Sequence, residues 1–353
     1  VKIAQLAPLA EAVPPKLYGG TERVVSYLTE ELIAQGHEVT LFASGDSETA
    51  ADLVPVVPRA LRLGGGVRDP IAPHVYMVEI VSRRAAEFDL IHVHFDHLHL
   101  PLFRHRGLPF LTTLHGRLDM PELQPLFDTF RDAPFVSISN AQRAPLPSAR
   151  WIGTVYHGLP QDLMSPSYEP GRYLAFLGRI SPEKGPDRAI RIAAEAGLPL
   201  KIAAKIDRVD VDYWESVVRP LLQAHSGLVE YVGEISDREK QAFLGGAAAL
   251  LFPIDWPEPF GLVMIEAIAC GTPVIAFPRG SVPEIIEPGV SGLIVADEKE
   301  AVAAVARIGQ LDRVAVRMAF ERRFTVQRMA QDYVRLYEQV IREAARRPLT
   351  LVA

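Results

Sequence analysis

Strand-sized apolar runs alternate with helix-sized amphipathic runs along almost the whole chain. That alternation limits the possible folds more than any other feature. "VKIAQLA" at the start reads as a strand, "YGGTERVVSYLTEELIAQG" as a helix and "HEVTLFAS" as a second strand. Val24, Val25, Leu28, Leu32 and Ile33 form the apolar stripe of the helix, and Gly36 stops it. Strand, helix, strand is a βαβ unit, the building block of a parallel sheet. The rhythm continues through "AEFDLIHVHF", "LPFLTTLHG", "APFVSIS" and "ARWIGTVYHG". A second series opens at "RYLAFLGRI" and runs through "LPLKIAAKI", "LVEYVGEIS", "AALLFPI" and "TPVIAF", with helices between. Pro220 predicts a break in the helical stretch "VDYWESVVRPLLQAH".

Prolines and glycines cluster at "YHGLPQDLMSPSYEPG", residues 156–171, where a domain boundary is expected. The 353 residues suit two domains at roughly 150 residues each. The expected class is α/β: two Rossmann-like, doubly wound parallel-sheet domains facing each other across a cleft. In such sheets ligands bind beyond the carboxyl ends of the strands, so the loops that follow strands are where chemistry is sought.

Net charge is −6, which gives no general pull toward nucleic acid or anionic lipid. Cys270 is the only cysteine, so no internal disulfide forms, and a reducing, cytoplasmic setting is expected. The apolar opening is broken by prolines, so no secretory signal is expected, and no apolar run is long enough to predict a membrane span. The arginines of the last helix are interleaved with glutamates, which predicts a solvated face and at most peripheral membrane contact.

The densest chemical signal is "WPEPFGLVMIEAIACGTPVIAF". Pro257 and Pro259 hold the chain extended before Phe260, and a helix is expected from about Gly261 to Gly271. That helix is nearly all apolar except for Glu266. A lone carboxylate there needs a partner, either an internal Lys or Arg or the hydroxyls of a ligand. The amides of Gly261, Leu262 and Val263 open the helix, where an anion is favoured, and Glu258 stands just ahead of them. In "FLGRISPEKGPDRAI", Arg179 and Lys184 follow a strand and suit a diphosphate, Arg by bidentate contact and Lys as a point charge.

"EPFGLVMIE", with "EAIACGTPVIAF" and "GSVPEIIEPGVSGLIV" around it, resembles the E-x7-E region of family-4 retaining glycosyltransferases of the GT-B fold. The resemblance spans nearly the whole chain. It implies domains at 1–160 (acceptor side) and 161–325 (nucleotide-sugar donor side), and a terminal helix, 326–353, that crosses back to the first domain. It implies that Glu266 holds the ribose hydroxyls, that Glu258 lies against the donor sugar, and that Phe260 to Val263 meet sugar and diphosphate through their backbone. Arg179 and Lys184 hold the diphosphate, Gly20 approaches it, His115 touches the sugar near the reacting centre, and Val232 meets the base. Catalysis is assigned to Glu258, His115, Arg179 and Lys184. Lys205 stands where the family often has Gly and is expected as an extra phosphate contact. Ser281 replaces a usual second Gly, with little effect expected. Tyr18, Gly19, His94 and Asp96 are expected on the acceptor side.

The activity implied is transfer, with retention, from a nucleoside diphosphate sugar to a hydroxyl acceptor. The donor is expected to be a UDP-sugar, with a GDP-sugar next, and the acceptor a saccharide or lipid-linked saccharide in bacterial polysaccharide or glycoconjugate assembly. No metal or other cofactor is expected. Two alternatives stand beside this reading. One is a sugar phosphorylase or sugar-nucleotide epimerase on the same fold. The other is a metal-dependent hydrolase built on "HVHFDHLH", residues 92–99, whose histidines are dense enough to suggest metal ligation. As a strand, that segment directs His92 and His94 to one face, and its remaining groups are expected beyond the strand end.

Overall fold

In the computed structural model, residues 1–16, 19–62 and 68–346 are described. The chain divides into two compact units, 1–158 with 326–353, and 159–325. The first contains β1 (Lys2–Leu6), α1 (Gly20–Ala34), β2 (Glu38–Ser44), β3 (Asp52–Val57), α2 (Ile71–Arg83), β4 (Leu90–Val93), α3 (Leu100–His105), β5 (Phe110–Thr113), α4 (Leu123–Thr129), β6 (Phe135–Ser137), α5 (Asn140–Arg143) and β7 (Trp151–Thr154). All its strand pairings are parallel, in the order β3-β2-β1-β4-β5-β6-β7.

The second unit contains β8 (Tyr173–Arg179), α6 (Pro186–Ala196), β9 (Leu200–Lys205), α7 (Val211–Tyr213), α8 (Arg219–Ala224), β10 (Val229–Gly233), α9 (Asp237–Gly245), β11 (Ala247–Phe252), α10 (Leu262–Ala269), β12 (Val274–Ala276), α11 (Val282–Ile285), β13 (Gly292–Ile294), α12 (Glu298–Val305) and α13 (Arg313–Arg323). Its sheet is also parallel, ordered β10-β9-β8-β11-β12-β13. α14 (Val326–Arg346) returns to the first unit. It carries Tyr333 and Tyr337, both fully buried.

Each sheet reverses its order once, between β1 and β4 in the first unit and between β8 and β11 in the second. Such a switch point leaves the loops at the carboxyl ends of the two central strands diverging, which opens a crevice. The central strands are short and buried on both faces, as parallel strands covered by helices must be. Leu174, Phe176, Ile202, Leu251 and Ile275 belong to the core of the second unit, and Leu6, Ile91, Val93, Phe110 and Phe135 to that of the first.

Two expectations change. β3 was not anticipated: it is an edge strand, half exposed, with Pro55 inside it, so neither alternation nor a continuous apolar run marks it. Pro220 does not break the helix. A π-helical segment, Trp214–Val218, precedes it, and the proline sits in the first turn of α8, where its missing N–H is tolerated.

Candidate nucleotide-sugar site

In the second unit, the loops after β8 and β11 flank the switch point and are fastened to each other. The Asp255 amide donates to the Glu183 carbonyl at 2.8 Å, and Arg188 Nε to the Pro253 carbonyl at 2.7 Å. Gly185 adopts a left-handed φ of 73°, and a Cβ there would lie 2.5 Å from the Pro253 oxygen. Only glycine permits that approach. The two motifs read separately from the sequence are therefore one piece of structure.

Lys184 Nζ lies 2.5 Å from Glu258 Oε2 and 4.5 Å from the centroid of the Trp256 ring. Trp256 Nε1 donates to the same carboxylate oxygen at 3.0 Å. Both charged side chains are largely covered, 19% and 9% exposed, so their attraction is only weakly screened. Two residues from the third strand-following segment brace this loop from below. The Ser281 amide donates to the Glu258 carbonyl at 2.9 Å, and Ser281 Oγ to the Phe260 carbonyl at 2.8 Å. Ser281 was expected to be a neutral replacement; it is a fully buried brace. Gly280 packs so closely that a Cβ would stand 2.3 Å from the Glu258 oxygen.

α10 begins at Leu262 after Gly261, whose φ of 80° turns the chain into the helix. The first intrahelical bond reaches Met264 from the Gly261 carbonyl at 3.0 Å, so the amides of Leu262 and Val263 have no acceptor within the helix. Phe260 is 2% exposed and packs edge-on against Phe324, so its ring belongs to the core.

Arg179 ends β8 among three carboxylates: Glu183 at 2.5 Å, Asp210 at 3.4 Å and Asp207 at 3.9 Å. Lys205, ending β9, lies 2.8 Å from Asp207. Burial raises the Asp210 carboxyl above its ordinary range, and the nearby Arg179 opposes that rise. Val232 is 36% exposed beside a β-bulge, with Gly233 at a φ of 82°. Glu266 is 4% exposed, and its Oε1 accepts from Lys240 Nζ at 2.9 Å. The internal cation that a buried glutamate needs is thus present. Nothing in the sequence singles out Lys240, which sits in the charged first half of α9.

In the first unit, the histidine tract forms a buried row. His92 Nδ1 bonds the Tyr337 hydroxyl and Nε2 bonds Thr113 Oγ1, each at 2.8 Å. His94 Nε2 bonds Gln5 Oε1 at 2.6 Å and Nδ1 bonds His115 Nε2 at 3.0 Å. The His115 ring stacks on that of His157, 5.3 Å between centroids. Burial holds His92, His94 and His157 well below the usual imidazole range and takes His115 to about 3. His94 was expected to line the acceptor side; it is 2% exposed with both nitrogens engaged. His99, expected beyond the strand end, is core, flanked by Phe95, Phe103 and Phe110. Asp96 is exposed. Among the described residues no group of three or more His, Cys, Asp or Glu could hold a metal ion. Gly20 begins α1 and Gly19 caps it, with Pro15 so close that a Cβ on Gly19 would lie 2.8 Å from it. Tyr18 lies outside the described residues.

Comparison with known proteins adds to this geometry. Residues 164–319 match the family model described as Glycosyl transferases group 1, and residues 18–179 that of Glycosyltransferase Family 4. The D-inositol 3-phosphate glycosyltransferase of Mycolicibacterium smegmatis is 34% identical over 152 residues, 42% of this chain and 33% of that protein. That of Streptomyces griseus is 32% identical over 183 residues, 49% of this chain and 37% of that protein. The chain matches only about a third of the length of these curated relatives. Among solved structures, the glycosyltransferase AviGT4, involved in avilamycin A biosynthesis, aligns with a TM-score of 0.73 at 24% identity, over 97% of this chain and 98% of that one. Anabaena HepE in complex with UDP aligns with a TM-score of 0.73 at 18% identity, over 96% and 100%. These likenesses place the two parallel α/β units in the GT-B fold class.

Proposed function

From the premise that this chain belongs to the group 1, family 4 glycosyltransferases, we propose that it moves a sugar from a nucleoside diphosphate sugar to a hydroxyl acceptor. The observation that carries this reading is the Lys184–Glu258–Trp256 cluster at the switch point of the second unit, beside Arg179 and the first turn of α10. Departure of a nucleoside diphosphate builds negative charge on phosphate and positive charge at the anomeric carbon. Lys184, Arg179 and the Leu262 and Val263 amides stabilise the first, being fixed in place before the reaction begins. Glu258 orients the transferred sugar by accepting from its hydroxyls, and Glu266 accepts from the ribose. The Val232–Gly233 backbone meets the base, and Lys205 adds a phosphate contact.

Uracil is the proposed base; the HepE structure with UDP supports it. Retention is proposed with the acceptor entering on the leaving-group face and its proton passing to the departing diphosphate. The acceptor is proposed to be a saccharide or lipid-linked saccharide of polysaccharide or glycoconjugate assembly. The name of the curated relatives adds a phosphorylated cyclitol to the acceptors worth testing. Among the described residues no helix is long and apolar enough to cross a membrane.

The test is a donor screen by thermal shift with UDP-, GDP- and ADP-sugars, followed by product analysis with the donor that shifts most. Transfer to a hydroxyl acceptor, with the anomeric configuration kept, supports the reading. Donor breakdown that requires inorganic phosphate, or is abolished by a chelator, contradicts it.

A further inference from the structure

α10 carries one charged side chain, Glu266, in an otherwise apolar sequence, and it is 4% exposed. A carboxylate so placed is costly without a partner. Lys240 supplies one at 2.9 Å and is itself covered, 15% exposed at the side chain. The lysine also lies 3.2 Å from Asp237 Oδ1, three residues earlier on α9. α9 is firmly seated. Ser236 and Glu239 form a capping box at its start, and Thr272 Oγ1 donates to the Leu244 carbonyl near its end at 2.7 Å. A rigid helix thus presents the ammonium to Glu266.

Lys240 bonds Oε1, and no hydrogen bond to Oε2 is found among the described residues. An ionised carboxylate has about four lone-pair sites on its two oxygens. One oxygen is therefore clamped and the other left with its acceptor capacity.

We propose that Lys240 is a positioning residue for nucleotide recognition: by clamping Oε1 of Glu266 it aims Oε2 at the vicinal hydroxyls of a ribose. The inference rests on the reading of Glu266 as the group that holds the ribose. Without the ammonium, a buried carboxylate turns toward water, and that change removes the paired acceptors a diol needs. Arginine at 240 keeps the charge on a longer, planar head and restores part of the alignment.

Binding of UDP and 2′-deoxy-UDP, with GDP and 2′-deoxy-GDP in parallel, is measured by calorimetry for the wild type and for Lys240→Met, Lys240→Arg, Glu266→Gln and the Lys240→Met/Glu266→Gln pair. Loss of a charge-assisted alignment is expected to weaken ribonucleotide binding about tenfold in Lys240→Met. The 2′-deoxy compound loses little, so the preference for ribose collapses, while kcat at saturating donor changes less than KM. Lys240→Arg recovers part of both affinity and preference. If Lys240→Met keeps its affinity and preference while Glu266→Gln loses them, the ion pair is only structural and the inference fails with the site reading intact. If Glu266→Gln also keeps its preference, or neither ribonucleotide binds, the site reading falls and the inference with it. Should Lys240→Met fail to fold, the charge-neutral double variant decides. A ribonucleotide Kd equal to that of Glu266→Gln supports positioning, and a further tenfold loss contradicts it.

Discussion

Lys184 and Glu258, seventy-four residues apart in the chain, meet at 2.5 Å where the loops after β8 and β11 are fastened together. The pair joins the cation expected for the leaving group to the carboxylate expected for the transferred sugar. Each partner's charge is offset by the other's. On the proposed reading, a bound donor shares or exchanges that contact, and recognition of diphosphate and sugar is then coupled.

Glu258→Gln tests the sugar half of that coupling. The amide keeps the shape but loses the charge that accepts from sugar hydroxyls as positive charge develops. Turnover is expected to fall by about 10²–10³, the scale of one preorganised electrostatic contact. Affinity for the free nucleoside diphosphate stays within about threefold of wild type by calorimetry, since the base, ribose and phosphate contacts remain. Unchanged turnover would remove Glu258 from the reaction.

Gly280→Ala tests the brace. Its φ is 54° and the added Cβ would lie 2.3 Å from the Glu258 oxygen and 2.4 Å from the Glu258 nitrogen. Strain of this kind costs about 1–3 kcal/mol, and here it falls on the loop that carries Glu258. The variant is expected to melt lower and to lose activity beyond its loss of stability, both read on the same preparation by calorimetry and donor turnover.

Buried imidazoles set an acid limit on stability. An unfolded histidine takes up a proton near pH 6.5, whereas burial lowers His99 to about 3. Between those values the unfolded state binds the extra proton, so stability is full above about pH 6.5 and falls as pH drops toward 3. His99 alone accounts for about 2 kcal/mol at pH 5. His92, His94, His115 and His157 are shifted in the same direction. Melting temperature is therefore expected to fall from pH 7 to pH 5, by differential scanning calorimetry, and a flat profile would contradict the buried row.

Cys270 offers an independent check on the packing behind α10. Burial, reinforced by the Glu266 carboxylate, pushes its thiol up to about 12. The native protein should leave a thiol-disulfide reagent unreacted at pH 8 and release one equivalent of chromophore on unfolding in guanidinium, because the thiolate is the reactive species.

The parallel architecture was legible because βαβ alternation survives wherever strands are apolar on both faces. β3 escaped because an edge strand with an internal proline carries no such signal. The motif loops were legible from glycines and prolines that restrict the backbone, as at Pro257, Pro259 and Gly261. Their partners were not, because Trp256, Ser281 and Lys240 act by proximity that spacing does not encode. The density of histidines has a structural explanation. On one strand face, His92 is bonded to Thr113 and Tyr337 and His94 to Gln5 and His115, all within the first unit. His99 pointed the other way, into an aromatic cluster.

The most direct test of the account is the thermal shift that UDP-glucose gives with wild type and with Lys184→Ala. A nucleotide-sugar site built on Lys184 and Glu258 predicts a rise of several degrees for the wild type, since a ligand that binds only the folded state stabilises it, and a rise reduced to near zero in the variant. An equal shift in both proteins, or a shift in neither with UDP-, GDP- or ADP-sugars, would contradict it.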